Sequence, residues 1–224
     1  MGTFNAILNM AVDMGWSAQK IRVKRPRGSR KDERIAHLEA EEVMPLVQYI
    51  TRTYGALMGF TVLLLIDTGL RFGEALRLRW CDLGEDWVLV RPSDYEFSKT
   101  KPRRIPTSPR LLQFMNVHGI LPEEGIDPRL SIMANLYNKA PTAIGRELRA
   151  ALKEATHVTN CLYADMDMRP HDLRHTFAYL CAKSGADIGD IRELMGHSNI
   201  AMTMRYRGFI DSKAKDIIRR GMKE

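Results

Sequence analysis

Residues 171–209 read HDLRHTFAYLCAKSGADIGDIRELMGHSNIAMTMRYRGF, and two glycines punctuate them as helix stops, Gly185 and Gly196. The spacing predicts helices over Asp172–Ser184, Asp187–Met195 and Ile200–Arg205. In the first of these, His171 and Arg174 stand three residues apart on one face, while Leu173, Phe177 and Leu180 supply the buried one. A histidine at a helix entry serves as readily for capping as for chemistry. An arginine adds a planar fork of donors that matches phosphate oxygens. His197 follows Gly196, and Tyr206 comes nine residues later. A tyrosine near a chain end is ordinarily a packing residue. With a reference pKa near 10, it acts as a nucleophile only where it is deprotonated and cations stabilise it.

Working upstream, Thr142–Glu154 has helical periodicity, and Gly119–Pro128 has little periodicity and is read as loop. Earlier still, Trp87–Arg91, Glu96–Ser98 and Arg103–Ile105 are strand candidates, with Pro92 and Pro102 limiting the pairing edges. Between the last two strands lie Ser98, Lys99, Thr100 and Lys101, and Arg103 and Arg104 follow. A lysine there is able to swing into a DNA groove, although lysines on exposed hairpins are common. Residues 68–75, TGLRFGEA, turn from loop into a short helix over Gly73–Arg79. Arg71 sits at that turn near free backbone donors, and Glu74, one turn on, either orients an arginine or histidine or matches the helix dipole. Glu41 precedes a helical face of Val43, Leu46, Val47 and Ile50, and Thr53–Asp67 reads as a second, strongly apolar helix ended by Gly69. The fold class is therefore mainly α with a small antiparallel β-sheet, an α+β arrangement.

Composition is consistent with an ordinary globular chain: 45% hydrophobic and 27% charged among 224 residues. The net charge of +7 favours polyanionic partners. Its distribution says more, because Lys20, Arg22, Lys24, Arg25, Arg27, Arg30 and Lys31 form a basic run without an acid among them. Such a run is suited to displacing counterions from DNA, or is simply a well-solvated linker. Cys81, Cys161 and Cys181 are widely spaced and suit a reducing compartment; no CxxC pair suggests zinc. The apolar run Met58–Ile66 is too short to span a bilayer, and the chain opens with no secretory leader, so a cytoplasmic location and no membrane partner are expected. Phe4, Ile7, Leu8, Ala11 and Met14 mark an amphipathic helix ahead of the basic run, and Ala214, Ile217 and Ile218 give a possible apolar face to a last helix over Ser212–Arg220.

No HExxH, GxxxxGK[ST] or GxGxxG motif is present, so no nucleotide or metal cofactor is expected. Four segments in order, TGLRFGEAL around Arg71, SKTKPRRIP around Lys99, HDLRHTFA with His171 and Arg174, and LMGHSNIAMTMRYRG with His197 and Tyr206, together resemble the catalytic domain of the tyrosine recombinases, the phage integrase family. The likeness runs from about His37 to Phe209. It implies site-specific DNA recombination, integration or excision, through a 3′-phosphotyrosyl intermediate. Arg71, Arg174 and His197 would bind the scissile phosphate, His171 would be the general base, Lys99 would protonate the leaving 5′-oxygen, and Tyr206 would attack. Glu74 and His175 would support them, and Lys101 competes for the lysine role because Pro102 replaces a glycine common in this turn. Arg103, Arg104 and the basic run 20–31 are expected DNA contacts.

The same resemblance implies three parts: residues 1–17 as the last helix of an upstream DNA-binding domain, 18–36 as a basic linker, and 37–224 as the catalytic domain with a helical tail. It implies double-stranded DNA as partner, a tetramer on two duplexes, a monomer without DNA, and accessory DNA-bending proteins as possible partners. Two alternatives remain open. One is a DNA-binding integrase remnant without activity; the other is relaxation of supercoils in the manner of a type IB topoisomerase.

Overall fold

The computed structural model describes residues 2–16, 35–92 and 102–210. The chain divides between Arg34 and Ile35 into two units. In the first, α1 (Gly2–Asp13) leaves Ile7 and Met10 exposed, and Met14 and Trp16 just after it are exposed as well. The basic run 20–31, the expected strand at 96–98 and the expected helix over 212–220 lie outside the described residues.

The second unit is built around α3 (Ala56–Thr68), whose sequence ALMGFTVLLLIDT has no polar face. A helix apolar all round must be surrounded. From Met58 to Thr68 every residue is buried, with α2 (Ala40–Tyr54), α5 (Pro109–Val117) and α8 (Pro170–Ser184) packed against it. The sequence pattern suggested one helix over Thr53–Asp67. The structure instead breaks at Gly55, whose φ of 91° lets the chain turn from α2 into α3. That break brings Gly59 against Thr51, so close that a Cβ on Gly59 would lie 2.0 Å from Thr51 Oγ1.

Beyond α3, α4 (Phe72–Ala75) is shorter than the helix expected over Gly73–Arg79. A turn of 3₁₀ helix, Trp80–Asp82, then leads to β1 (Trp87–Val90). This strand pairs antiparallel with β2 (Arg103–Pro106), Val90 opposite Arg103 and Trp87 opposite Pro106. Val88, Val90 and Ile105 enter the core. Sequence periodicity missed two helices, α5 and α6 (Ile132–Tyr137). Each carries a serine N-cap: Ser108 accepts from the Leu111 amide and Ser131 from the Ala134 amide. These caps were readable signals, but the short apolar stripes behind them were not.

The rest follows the expected order. α7 (Pro141–Val158) buries one face, Ile144, Leu148, Ala151, Leu152 and Ala155. α8 follows, then α9 (Ile188–Met195), capped by Asp187 accepting from the Asp190 amide at 2.8 Å. The helix expected over Ile200–Arg205 is two successive 3₁₀ turns, Ile200–Met202 and Met204–Tyr206. Among the described residues no helix is long and apolar enough to cross a membrane.

Candidate active site

The site forms where the end of α3, the start of α8 and the turn after α9 meet. Gly69 ends α3 in the left-handed conformation, φ 59°, and donates its amide to the Leu65 carbonyl. A Cβ here would sit 2.3 Å from Cδ1 of Phe177, so glycine is also what allows α8 to approach. The chain then turns into α4 with Arg71 at its N-cap. Glu74 receives the Arg71 amide at 3.0 Å on Oε2 and Arg71 Nη1 at 3.1 Å on Oε1. The rest of the Arg71 side chain stays half-open, 36% exposed.

Glu74 is buried and holds a second arginine. Arg103 donates Nη2 to its Oε2 at 2.7 Å and Nη1 to its Oε1 at 3.3 Å. Burial alone would raise the Glu74 pKa, but the hydrogen bonds and charge of Arg103, with Arg71 adding to them, leave it lowered, so the carboxylate is ionised. Arg103 was expected on DNA; instead it is 8% exposed, and its Nε donates to the Leu194 carbonyl at 2.8 Å. Arg104, its neighbour on the other face of the strand, is exposed with its guanidinium 4.8 Å from the centre of the Trp87 ring.

On α8, the first turn leaves His171 exposed while the next three residues after Asp172 are buried. Arg174 is 1% exposed and donates Nη1 to the Gly69 carbonyl and Nη2 to the Met195 carbonyl, tying the ends of α3 and α9 together. Burial, and after it the nearby Arg71, pull its pKa down to about 9, which still leaves it a cation at neutral pH. His175 lies one residue further in. Its Nδ1 is 2.5 Å from the Tyr206 hydroxyl, and its ring meets that of His171 edge to face at 4.8 Å.

Tyr206 is 1% exposed, and burial raises its pKa to about 12 against the opposing pull of Arg174 and Arg205. His197 is likewise enclosed, its Nδ1 2.9 Å from Oγ1 of the buried Thr203. Its pKa falls to about 4, from burial first and then from Arg174 and Arg71. Burial takes His175 down to about 3, with His171, Arg205 and Arg174 adding to it. His171 is lowered as well, by partial burial and then by Arg174. All three histidines thus have lowered pKa values, through burial first and the surrounding cations second. A phosphodiester is the kind of group such a cluster would receive, because its charge offsets the mutual repulsion of the arginines. Beside His197 a cleft of about 980 Å³ opens between β2 and α9, lined by Arg103, Arg104, Arg192 and Ser198 among others.

The structure therefore gathers Arg71, Glu74, His171, Arg174, His175, His197 and Tyr206 in one place. Lys99 and Lys101 lie outside the described residues. Sequence reasoning gave His171 the closest relation to Tyr206, but the hydrogen bond belongs to His175. It also passed over Thr203, whose signal was a small polar residue three positions before the tyrosine, and Arg205 as a source of positive field. Among the described residues no three His, Cys, Asp or Glu side chains converge as a metal site.

The family model described as the phage integrase family matches residues 33–211. A tyrosine recombinase of Thermosipho africanus is 25% identical over 201 residues, which cover 89% of this chain and 65% of that protein. The tyrosine recombinase XerC of Xanthomonas axonopodis pv. citri is 29% identical over 82% of this chain and 57% of its own length. The chain thus spans between about two fifths and two thirds of the length of the curated relatives it matches. Among solved structures, the XerA recombinase superposes with a TM-score of 0.63 at 23% identity, covering 96% of this chain and 74% of that one. The catalytic domain of the bacteriophage HP1 integrase gives 0.56 at 24% identity, covering 83% and 95%. At these identities the structures share the fold. With the family pattern spanning residues 33–211 and its arginines, histidines and tyrosine brought together in space, the chain belongs to the phage integrase family, the tyrosine recombinases.

Proposed function

We propose that this chain cleaves and rejoins DNA at specific sites, with Tyr206 as the nucleophile. The observation that carries this reading is the assembly around Tyr206: a histidine at 2.5 Å from its hydroxyl, and Arg174 and Arg205 acting on its charge. A phenol needs such company to become a phenolate at neutral pH.

In the reaction, the Tyr206 oxygen forms a bond to phosphorus as the bond to the 5′-oxygen breaks. The phenolic proton leaves to a histidine. His171 is the residue the family pattern assigns, and His175 is the one already in contact. The 5′-oxygen departs as a hydroxyl once Lys99, or Lys101 in its place, supplies a proton. Arg71 and Arg174, with His197, stabilise the charge on the non-bridging oxygens. One phosphoester replaces another, so the linkage energy is conserved in the 3′-phosphotyrosyl bond. Attack by a 5′-hydroxyl of another duplex completes the exchange.

In the conformation described, Tyr206 and Arg174 are both enclosed, and two of the five N–H groups of Arg174 are engaged with carbonyls, leaving the others as donors for a phosphate that gains access to them. Double-stranded DNA as substrate, a tetramer on two duplexes, a monomer without DNA, the exposed Arg104 and the basic run 20–31 as DNA contacts, and residues 1–17 as the end of an upstream DNA-binding domain joined by a linker over 18–36 all belong to this proposal. The cytoplasm is its setting.

Incubation with a set of nicked suicide duplexes, tiled from the DNA flanking the coding sequence, tests it. A covalent protein–DNA band that disappears in Y206F is expected. A folded chain that yields no such band would contradict the reading.

A further inference from the structure

Arg103 is a buried charged side chain that the reaction leaves without a task. It stands on β2, is 8% exposed, and directs all three guanidinium nitrogens inward. Nη1 and Nη2 meet the two oxygens of Glu74 in the fork geometry that makes arginine and carboxylate a rigid pair. Those same oxygens hold the backbone and side chain of Arg71. On the opposite side Nε binds the Leu194 carbonyl in the last turn of α9.

Two residues later, Gly196 packs directly on the Arg103 side chain. Its φ is 62°, and a Cβ there would lie 2.9 Å from Nη1 and 3.1 Å from Cδ. His197 follows at once. One guanidinium therefore spans two turns that are far apart in sequence, one carrying Arg71 and the other His197.

We infer that Arg103 is a positioning residue, fixing Arg71 through Glu74 and His197 through the Leu194–Gly196 turn so that both face the same phosphate. This rests on the strand-transfer reading above. The alternative for a basic residue on this strand is a phosphate contact, and the two differ in measurable ways. A phosphate contact contributes to affinity and to its salt dependence, whereas a buried strut contributes to the rate after DNA is bound.

The test uses the full chain and single-turnover cleavage of a nicked duplex that the unmodified protein cuts. R103M is expected to lower the cleavage rate constant at saturating protein by about 100-fold, the order expected when a reacting group shifts by about 1 Å. Affinity for the duplex is expected to stay within about threefold, and the slope of log affinity against log salt should be unchanged. The fraction of protein that eventually reacts should also hold, because a merely structural lesion lowers this amplitude instead of the rate constant. R103K retains a charge against Glu74 but cannot make the two-nitrogen pairing and the Leu194 bond together, and a rate between those of R103M and the unmodified chain is expected. If R103M fails to fold, R103K alone decides.

A rate constant for R103K and R103M within twofold of the unmodified chain would overturn the inference. So would a salt slope reduced by about one with the saturated rate intact, which marks a phosphate contact. If no duplex gives a Tyr206-dependent band with the unmodified protein, the strand-transfer reading itself fails, and the inference fails with it.

Discussion

Helices α7 and α8 have nearly the same length and lie against each other, yet they are buried by different rules. Along α7 the buried residues, Ile144, Gly145, Leu148, Ala151, Leu152, Ala155 and Thr156, lie on one face, with Thr156 as the one polar member, its hydroxyl returned to the Leu152 carbonyl of the same helix, and the other side carries Glu147, Arg149, Lys153 and Glu154. Hydrophobic burial accounts for it. Along α8 seven consecutive residues from Leu173 to Tyr179 are buried, and Arg174, His175 and Thr176 are among them. A guanidinium or imidazole gains nothing from leaving water unless partners receive it. On α8 they do: the Gly69 and Met195 carbonyls take Arg174, and the Tyr206 hydroxyl takes His175. α7 is a packing element, and α8 is packing bent to the needs of a site.

Removing the polar centre of α8 should break this contrast most sharply. R174A is expected to reduce covalent-complex formation by about 10³-fold or more, from the loss of a donor to the transition-state charge. It should also lower stability by on the order of 2–5 kcal/mol, because two buried carbonyls lose their partner. Denaturant melts together with single-turnover cleavage below the melting range would separate the two effects. The matching change on α7, L148A, should cost a similar 2–5 kcal/mol through the cavity it leaves, while the folded fraction cleaves at close to the normal rate.

The histidines give a smaller effect with a definite sign. His175 and His197 have folded-state pKa values near 3 and 4, below the ordinary 6.5 of an exposed histidine. Below pH 6.5 the unfolded chain binds protons that the folded chain refuses, so stability falls as pH drops from about 6.5 towards 4. Each histidine contributes a slope of at most about 1.4 kcal/mol per pH unit in that window. H175Q should flatten the slope by about one histidine's share in chemical denaturation series at pH 5–6.5. An unchanged slope would show that His175 titrates normally. At the low end stands E147Q, on the exposed face of α7, where the Lys139–Glu147 pair is open to solvent at 3.0 Å. Its loss should change stability by less than about 1 kcal/mol and leave cleavage untouched.

The same contrast explains what the sequence could and could not tell. Where burial is driven by hydrophobicity, as in α2, α3 and α7, the apolar pattern located the helices and misplaced only their ends: the second helix was expected to start at Thr53, whereas Gly55, with positive φ, separates α2 from α3, and α7 runs on to Val158. The members of the site were legible because their residue types, order and spacing match a family. Their geometry was not. Nothing in HDLRH says whether His171 or His175 meets the tyrosine; that is set by how α8 turns as it packs on α3, through the space left by Gly69. Nor does PRRIP reveal which arginine faces inward. Strand alternation makes Arg103 and Arg104 point oppositely, but which of them is inside depends on the Val90–Arg103 register and on Glu74 awaiting a partner.

The central claim is that Tyr206 becomes covalently joined to DNA. The most direct measurement is mass spectrometry of the protein–DNA adduct after nuclease and protease digestion. A nucleotide carried through a 3′-phosphate on the peptide containing Tyr206, with a free 5′-hydroxyl on the other DNA product, is the predicted result. An adduct on another residue, or cleavage that leaves no adduct at all, would contradict it.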